Sequence, residues 1–258
     1  MGGGANKPEL IVNGKRLDGR AFDELREIKI EANTVKNAVG SAYIEWGNNK
    51  ILAAVYGPKE ALPKHVSDPE KAIIKCRYQM APFSSLEGHG RTGPNRRATE
   101  ISKVTRETFE NVIQLDKFPG SEIDLYIEVL QGDGGTRAAG ITVAAVALAT
   151  SGIPMTDLPY GVSVGKIGEQ LVLDLNMIED NYSDADVPIA ISPRQGKVLL
   201  FQMDGSMSRE QIMEALQMAR KAGEVISKKQ RDALRLPYEQ IADKYKAVPS
   251  NQPQPAQA

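Results

Sequence analysis

At 258 residues, with 41% apolar and 25% charged side chains, the chain carries enough hydrophobic material for one large domain or two small ones. A net charge of −1 excludes a surface that is basic all over, so a polyanionic partner would have to be met by local cationic clusters. One cysteine, Cys76, excludes an internal disulfide and points to a cytoplasmic protein; with only two histidines beside it a zinc site is not expected, and no apolar run is long enough to span a bilayer.

Residues 1–9 are Gly-rich and polar and are expected to form a disordered tail, with one folded domain over residues 10–246. Arg16 to Arg20 is dense in charge and turn residues. Arg26 to Asn33 alternates around Ile28 and Ile30. Gly40 to Trp46 and Lys50 to Tyr56 read as a hairpin about Gly47, Asn48 and Asn49, which predicts an antiparallel N-terminal sheet. Lys59 to Lys71 holds Pro63 and Pro69, mixed charge and no period, and reads as a loop. Its Lys59, Lys64 and His65 suit either a solvated connection or a binding surface. Ile73 to Ala81 reads as a strand and Pro82 to Pro94 as irregular.

Ile101, Val104, Thr105, Thr108, Phe109, Val112 and Ile113 recur at helical spacing. Arg96 and Arg97 stand at or just before the start of that helix, where the dipole prefers acids. They belong to a basic group with Arg91, Lys103 and Arg106, and are either solvated or poised to hold an anion.

Glu122 to Val129 alternates strictly and predicts a half-buried strand, while Ala138 to Thr150 predicts a buried helix closed by Gly152. Between them lies Gly132-Asp133-Gly134-Gly135-Thr136-Arg137. A strand, a glycine-rich turn and a helix N-terminus gather backbone N–H groups and a positive dipole end at one spot, and Arg137 adds a two-pronged donor. The run suits an oxyanion such as phosphate. It would serve equally as a tight turn whose glycines only satisfy positive φ.

Gly161 to Gly165 and Gln170 to Leu175 read as a second hairpin. Glu179, Asp180, Asp184 and Asp186 then crowd the entrance of an apolar strand, Val187 to Ser192. They form either an acidic surface turn or a site where a cation or a mechanism compensates the repulsion. Val198 to Met203 reads as a further strand. Ser208 to Gln211 is a capping box for an amphipathic helix to about Leu234, and residues 247–258 are expected to be a disordered tail. The element order suggests two similar halves.

Taken together, Arg16 to Arg20, Asn95 to Ile101, Gly132 to Arg137 and Glu179 to Asp186 resemble motifs of the RNase PH family of phosphorolytic ribonucleases, and within it the catalytic subunits of archaeal exosome rings. The resemblance implies an α/β (α+β) fold of paired βαβα units, with mixed sheets flanked by helices. It implies a phosphorolytic 3′-to-5′ exoribonuclease that releases nucleoside diphosphates, with inorganic phosphate as co-substrate. On the matching positions Arg97, Gly135, Thr136 and Arg137 would bind phosphate. Asp180 and Asp186, with Arg137, would be catalytic, the two aspartates also able to hold Mg2+ or Mn2+. Arg96, Arg97, Lys59, Lys64 and His65 would contact single-stranded RNA. The implied partners are a related inactive subunit, completing a hexameric ring of three heterodimers, and RNA-binding cap proteins. Pro188 departs from the pattern of the bacterial polynucleotide phosphorylases that the motifs resemble, which carry a lysine two positions beyond the second aspartate. A metal-dependent hydrolytic nuclease, or a non-catalytic RNA-binding ring subunit, would share parts of this residue set.

Overall fold

The computed structural model describes residues 8–85 and 95–246. The expected tails, apart from Pro8 and Glu9, and Arg91 of the basic group lie outside these residues. A short ribbon, β1 (Ile11–Val12) with β2 (Lys15–Arg16), precedes the first sheet. That sheet comprises β3 (Ile28–Ala32), β4 (Gly40–Trp46), β5 (Asn49–Glu60), β6 (Ile73–Met80) and β7 (Ser121–Gln131), in the order β3-β4-β5-β7-β6. Only β6 and β7 are parallel, as befits strands joined by a crossover through α1 (Arg96–Glu110). The second sheet, in the order β11-β10-β8-β9, is formed by β8 (Tyr160–Ile167), β9 (Gln170–Leu173), β10 (Ala185–Ser192) and β11 (Lys197–Phe201). All of its pairings are antiparallel, and β12 (Asp204–Gly205) adds to β10.

Between the sheets runs α2 (Thr136–Thr150), apolar on every side and buried from Ala138 through Leu148, as a helix packed all round must be. It touches β4 and β5 of one sheet and β8 of the other. Two glycines permit the approach. A Cβ at Gly161 would fall 2.6 Å from the Ala138 carbonyl oxygen, and one at Gly40 would collide with the carbonyl of Ala147.

Four expectations need correction. Lys59 is not in a loop: β5 continues to Glu60, with Lys59 opposite Glu122, because pairing with central β7 carries the strand past a register shift that erases its alternation. Only after Glu60 does the chain turn, with a single 3-10 turn at Lys64–Val66. Strand β7 is buried on both faces near its start, since Lys59 and Lys75 close over Glu122 and Asp124; Lys59 Nζ lies 2.6 Å from Asp124 and Lys75 Nζ 2.5 Å from Glu122. The acidic stretch opens as a helix, α3 (Met177–Tyr182), started by a capping box between Asn176 and Glu179. Lastly, α4 (Arg209–Lys246) runs beyond Leu234 and through Pro237. Its later turns leave Leu236 and Tyr238 exposed, so they offer no apolar stripe for periodicity to detect.

A buried polar hub joins the N-terminal segment to both sheets. The Asp174 carboxylate accepts hydrogen bonds from Arg26 N (2.8 Å) and Nη2 (2.7 Å) and from Trp46 Nε1 (2.9 Å). Arg16, fully buried, donates to Glu179 through Nε (2.7 Å) and to the carbonyls of Leu173 and Asp174. Burial alone would raise the Asp174 pKa, but the charge and hydrogen bonds of Arg26 hold it below the usual carboxylate range. Its contribution to stability is therefore complete above the unfolded value of 3.8 and is lost as pH falls through the lower folded value. Replacing Asp174 by Ala leaves buried Arg26 without its nearest counter-ion, Asp133 lying at 3.6 Å, and should lower unfolding free energy at neutral pH by about 3 to 5 kcal/mol. Denaturant titration checks this; a loss under about 1 kcal/mol, the scale of an ordinary surface pair, would mean the hub is not a stabilising element.

Candidate active site

The glycine-rich turn is fixed by its own backbone groups before any ligand enters. Gly132 N donates to Ser84 O (2.8 Å) and Asp133 N to Asn49 Oδ1 (2.6 Å), while Asn49 Nδ2 donates to Gly134 O (2.7 Å). Arg26 donates to the carbonyls of both Asp133 and Gly134. Gly134 and Gly135 both lie in the left-handed region, at φ +69 and +67, and a Cβ on Gly134 would sit 2.5 Å from the Asn176 carbonyl carbon. Gly135 caps α2 with no side-chain acceptor. The first N–H groups of the helix are thus left for an anion in front of them.

In front of them is a cleft of about 690 Å³ lined by Arg97, Gly135, Thr136, Arg137, Asp180 and Asp186, with Glu100, Ser163, Asp184, Gln202 and Asp204 among its other walls. All of the phosphate-binding and catalytic candidates therefore meet in one place. Arg97 comes from the first turn of α1, whose cap is Asn95, the Oδ1 accepting from Ala98 N at 2.7 Å. Arg137 donates to Gln202 Oε1 and lies 3.7 Å from Glu100, to which Gln202 Nε2 also donates (2.9 Å). Thr136 Oγ1 is 2.9 Å from the hydroxyl of buried Tyr78.

The acids face these donors. Asp186 pairs with Asp204 across β10 and β12, and Asp180 is presented by α3. Burial, then the charge of Asp180, pushes the Asp186 pKa up to about 7 against the pull of Arg137 and Arg97. Burial also raises Asp180, opposed by Arg97, Arg137 and Arg26. The other two acids of the stretch are structural: Glu179 is buried against Arg16, and Asp184, though on the cleft wall, accepts from Gly168 N at 2.6 Å to close the β8–β9 turn.

The RNA-contact candidates are not brought together. Arg96, on the first turn of α1, is exposed and is not among the lining residues. Lys59 pairs with Glu122 at the start of β7, whereas the glycine turn follows its end at Gln131. Nine strand residues place Lys59, and the turn with Lys64 and His65 beyond it, roughly 30 Å from the phosphate-binding candidates. The sequence reading missed Tyr78, Ser163, Gln202 and Asp204. None has a motif of its own; only the contiguity of Gln202 to Gly205 with the strand at 198–203 hinted that a return loop would cover the site.

Family models for the first and second domains of the 3′ exoribonuclease family, RNase PH, match residues 24–154 and 157–222. The chain belongs to the RNase PH family. It is 53% identical over 241 residues to the exosome complex component Rrp41 of Thermococcus onnurineus, covering 92% of this chain and 96% of that protein. It is also 53% identical over 231 residues to the protein of that name from Thermoplasma acidophilum, covering 89% and 93%. Among solved structures the fold matches rice Rrp46 (TM-score 0.76, 24% identity, 85% of this chain and 100% of that one). It also matches a chain of the Archaeoglobus fulgidus exosome with RNA bound to the active site (TM-score 0.73, 23% identity, 84% and 93%). This RNase PH chain is a 3′ exoribonuclease with the α/β fold of its family.

The raised Asp186 pKa makes a prediction about stability. A folded carboxyl that titrates near 7 instead of at 3.8 binds more protons than the unfolded chain in that interval, so stability falls as pH rises through it, and the penalty is complete above 7. Asp186→Asn removes the buried charge. Thermal unfolding should show the variant more stable than wild type at pH 8 with the gain gone at pH 3.5; an equal difference at both would show that the charge is not responsible.

Proposed function

We propose that this RNase PH chain removes 3′-terminal nucleotides from RNA by phosphorolysis, as the catalytic subunit of an exosome ring. The observation that carries the reading is the single cleft in which Arg97, Arg137, Thr136 and the start of α2 face Asp180 and Asp186. The nucleophile, inorganic phosphate, is already an anion. The site therefore needs cations and N–H donors to bring two anions together more than it needs a base. Held by the α2 N-terminus, Thr136, Arg137 and Arg97, a phosphate oxygen attacks the terminal phosphodiester. The new P–O bond forms as the bond to the 3′-oxygen of the preceding nucleotide breaks, releasing a nucleoside diphosphate. That 3′-oxygen takes a proton, which Asp186 retains to near neutral pH through its burial and, after that, the charge of Asp180.

The aspartates also fit a divalent cation such as Mg2+ or Mn2+. Asp186 Oδ1 is buried with no hydrogen-bond partner, and two carboxylates plus substrate oxygens are a ligand set that Mg2+ accepts. No group of three or more metal-binding side chains of the cage type occurs among the described residues. Held there, a cation would offset charge on the leaving oxygen.

Arg96, Lys59, Lys64 and His65 are proposed RNA contacts outside the cleft. With a net charge of −1, a lone chain attracts RNA weakly, whereas a hexameric ring alternating with an inactive related subunit and capped by RNA-binding proteins gathers the cations of several chains around one channel. The name exosome complex component, carried by relatives identical at half their positions, supports that assembly. Residues 10–246 act in it as one unit, through the core that α2 shares with both sheets. No helix among the described residues is long and apolar enough to cross a membrane. We place the complex in the cytoplasm on the free thiol of Cys76, which suits a reducing compartment.

The assembled enzyme should degrade labelled RNA only with inorganic phosphate and yield nucleoside diphosphates; monophosphates formed in phosphate-free buffer would favour a hydrolytic nuclease instead. Arg137→Ala removes a charged donor and should cost about 2 to 4 kcal/mol of transition-state stabilisation, read as kcat/KM for phosphate. Asp180→Asn, nearly isosteric, should slow turnover by about 100- to 10,000-fold while RNA binding survives. A folded variant that keeps more than about a tenth of wild-type turnover would show that Asp180 neither donates the proton nor holds a cation at the leaving oxygen, leaving that role to Asp186 or Asp184.

A further inference from the structure

Behind the phosphate-binding candidates stands Tyr78, on β6, a side chain that carries no charge and does not line the cleft. It is buried, and its ring lies along α2, where a Cβ on Gly140 would come within 3.7 Å of it. One helical turn earlier its hydroxyl meets Thr136 Oγ1 at 2.9 Å. A phenol is a stronger acid and a weaker acceptor than an aliphatic alcohol, so Tyr78 donates and Thr136 accepts. Burial moves the Tyr78 pKa up, against the opposing pull of Thr136, Arg97 and Arg137, so the proton stays on the phenol.

A threonine hydroxyl with one lone pair engaged from behind has its own hydrogen left to give. Thr136 lines the cleft, so that hydrogen is directed at whatever anion sits against the start of α2. Without Tyr78 the hydroxyl at this first helical position would rotate among backbone acceptors and water. Tyr78 is itself held from the other side of the site. Its backbone N–H donates to Ser102 Oγ (2.9 Å), which donates to Ala98 O (2.6 Å) in the turn of α1 that also presents Arg97.

We propose that Tyr78 is a positioning residue for phosphate, fixing the Thr136 hydroxyl as a donor and tying the α1 and α2 halves of the anion site to one another. The proposal rests on the phosphorolytic reading above.

Tyr78→Phe keeps the ring and removes only the donor. On the assembled enzyme with RNA saturating, it should raise KM for phosphate by about 3- to 10-fold, the effect of one neutral hydrogen bond, with kcat and RNA affinity changed less than about twofold. Thr136→Val should also raise that KM, and Tyr78→Phe added to it should have no further effect, because the hydroxyl it positions is gone. Three results overturn the proposal: an unchanged phosphate KM in Tyr78→Phe, a fall in melting temperature alone, or an equal increase of KM in the Thr136→Val background. Wild-type degradation that needs no phosphate is a separate outcome, which removes the phosphorolytic reading and this proposal with it.

Discussion

The buried pairing of Arg26 with Asp174 sets the geometry on which the site depends. Each charge would be costly to bury alone, and together they repay that cost only through satisfied hydrogen bonds. Asp174 takes donors from the Arg26 backbone and guanidinium and from Trp46, and the remaining Arg26 donors reach the carbonyls of Asp133 and Gly134. The carbonyls of the glycine turn therefore point back into the protein. The N–H groups that begin α2 point the other way, into the cleft. The proposed anion site, made of backbone dipoles, is thus aimed by a charge pair on the far side of the loop.

Four acids in one short stretch meet different fates because different neighbours claim them. Glu179 is neutralised by Arg16 and completes a helix cap, and Asp184 closes a hairpin turn. Asp180 and Asp186 are left to face the cleft, where Asp204 adds to the negative charge and Arg97 and Arg137 oppose it. The aspartates and the arginines share one cleft, where the arginine charges oppose the rise that burial imposes on both carboxyl groups. A phosphate bound to the arginines would compete for the same positive field, and protonation of Asp186 lowers the cost of admitting it.

Much of this was legible in the sequence wherever pattern and chemistry coincide. The alternation from Ile123 to Val129, the hairpin at Gly47 to Asn49, the capping box at Ser208 and the glycine turn before α2 are local signals, and each stands where expected. The resemblance placed Arg97, Thr136, Arg137, Asp180 and Asp186 in one cleft that spacing alone did not define. What stayed hidden depends on long-range contact. Lys59 belongs to a strand because β7 lies beside it, and its ammonium is engaged by Asp124. Asp204 and Gln202 matter because β12 and the turn before it fold back across β10. Tyr78 looks like any core aromatic until its hydroxyl is found against Thr136.

The seating of α2 against Gly161 and Gly40 has a mechanical consequence. Side-chain layers between elements yield by rotamer changes, but here backbone rests on backbone, and no soft layer lies between the helix and either sheet at these points. Tilting the helix would require the sheets themselves to separate. Its N-terminal dipole is therefore stiff, and in the proposed reaction charge building up on the phosphate would meet donors already in place. The reorganisation that water would have to undergo around the same charge has been completed during folding.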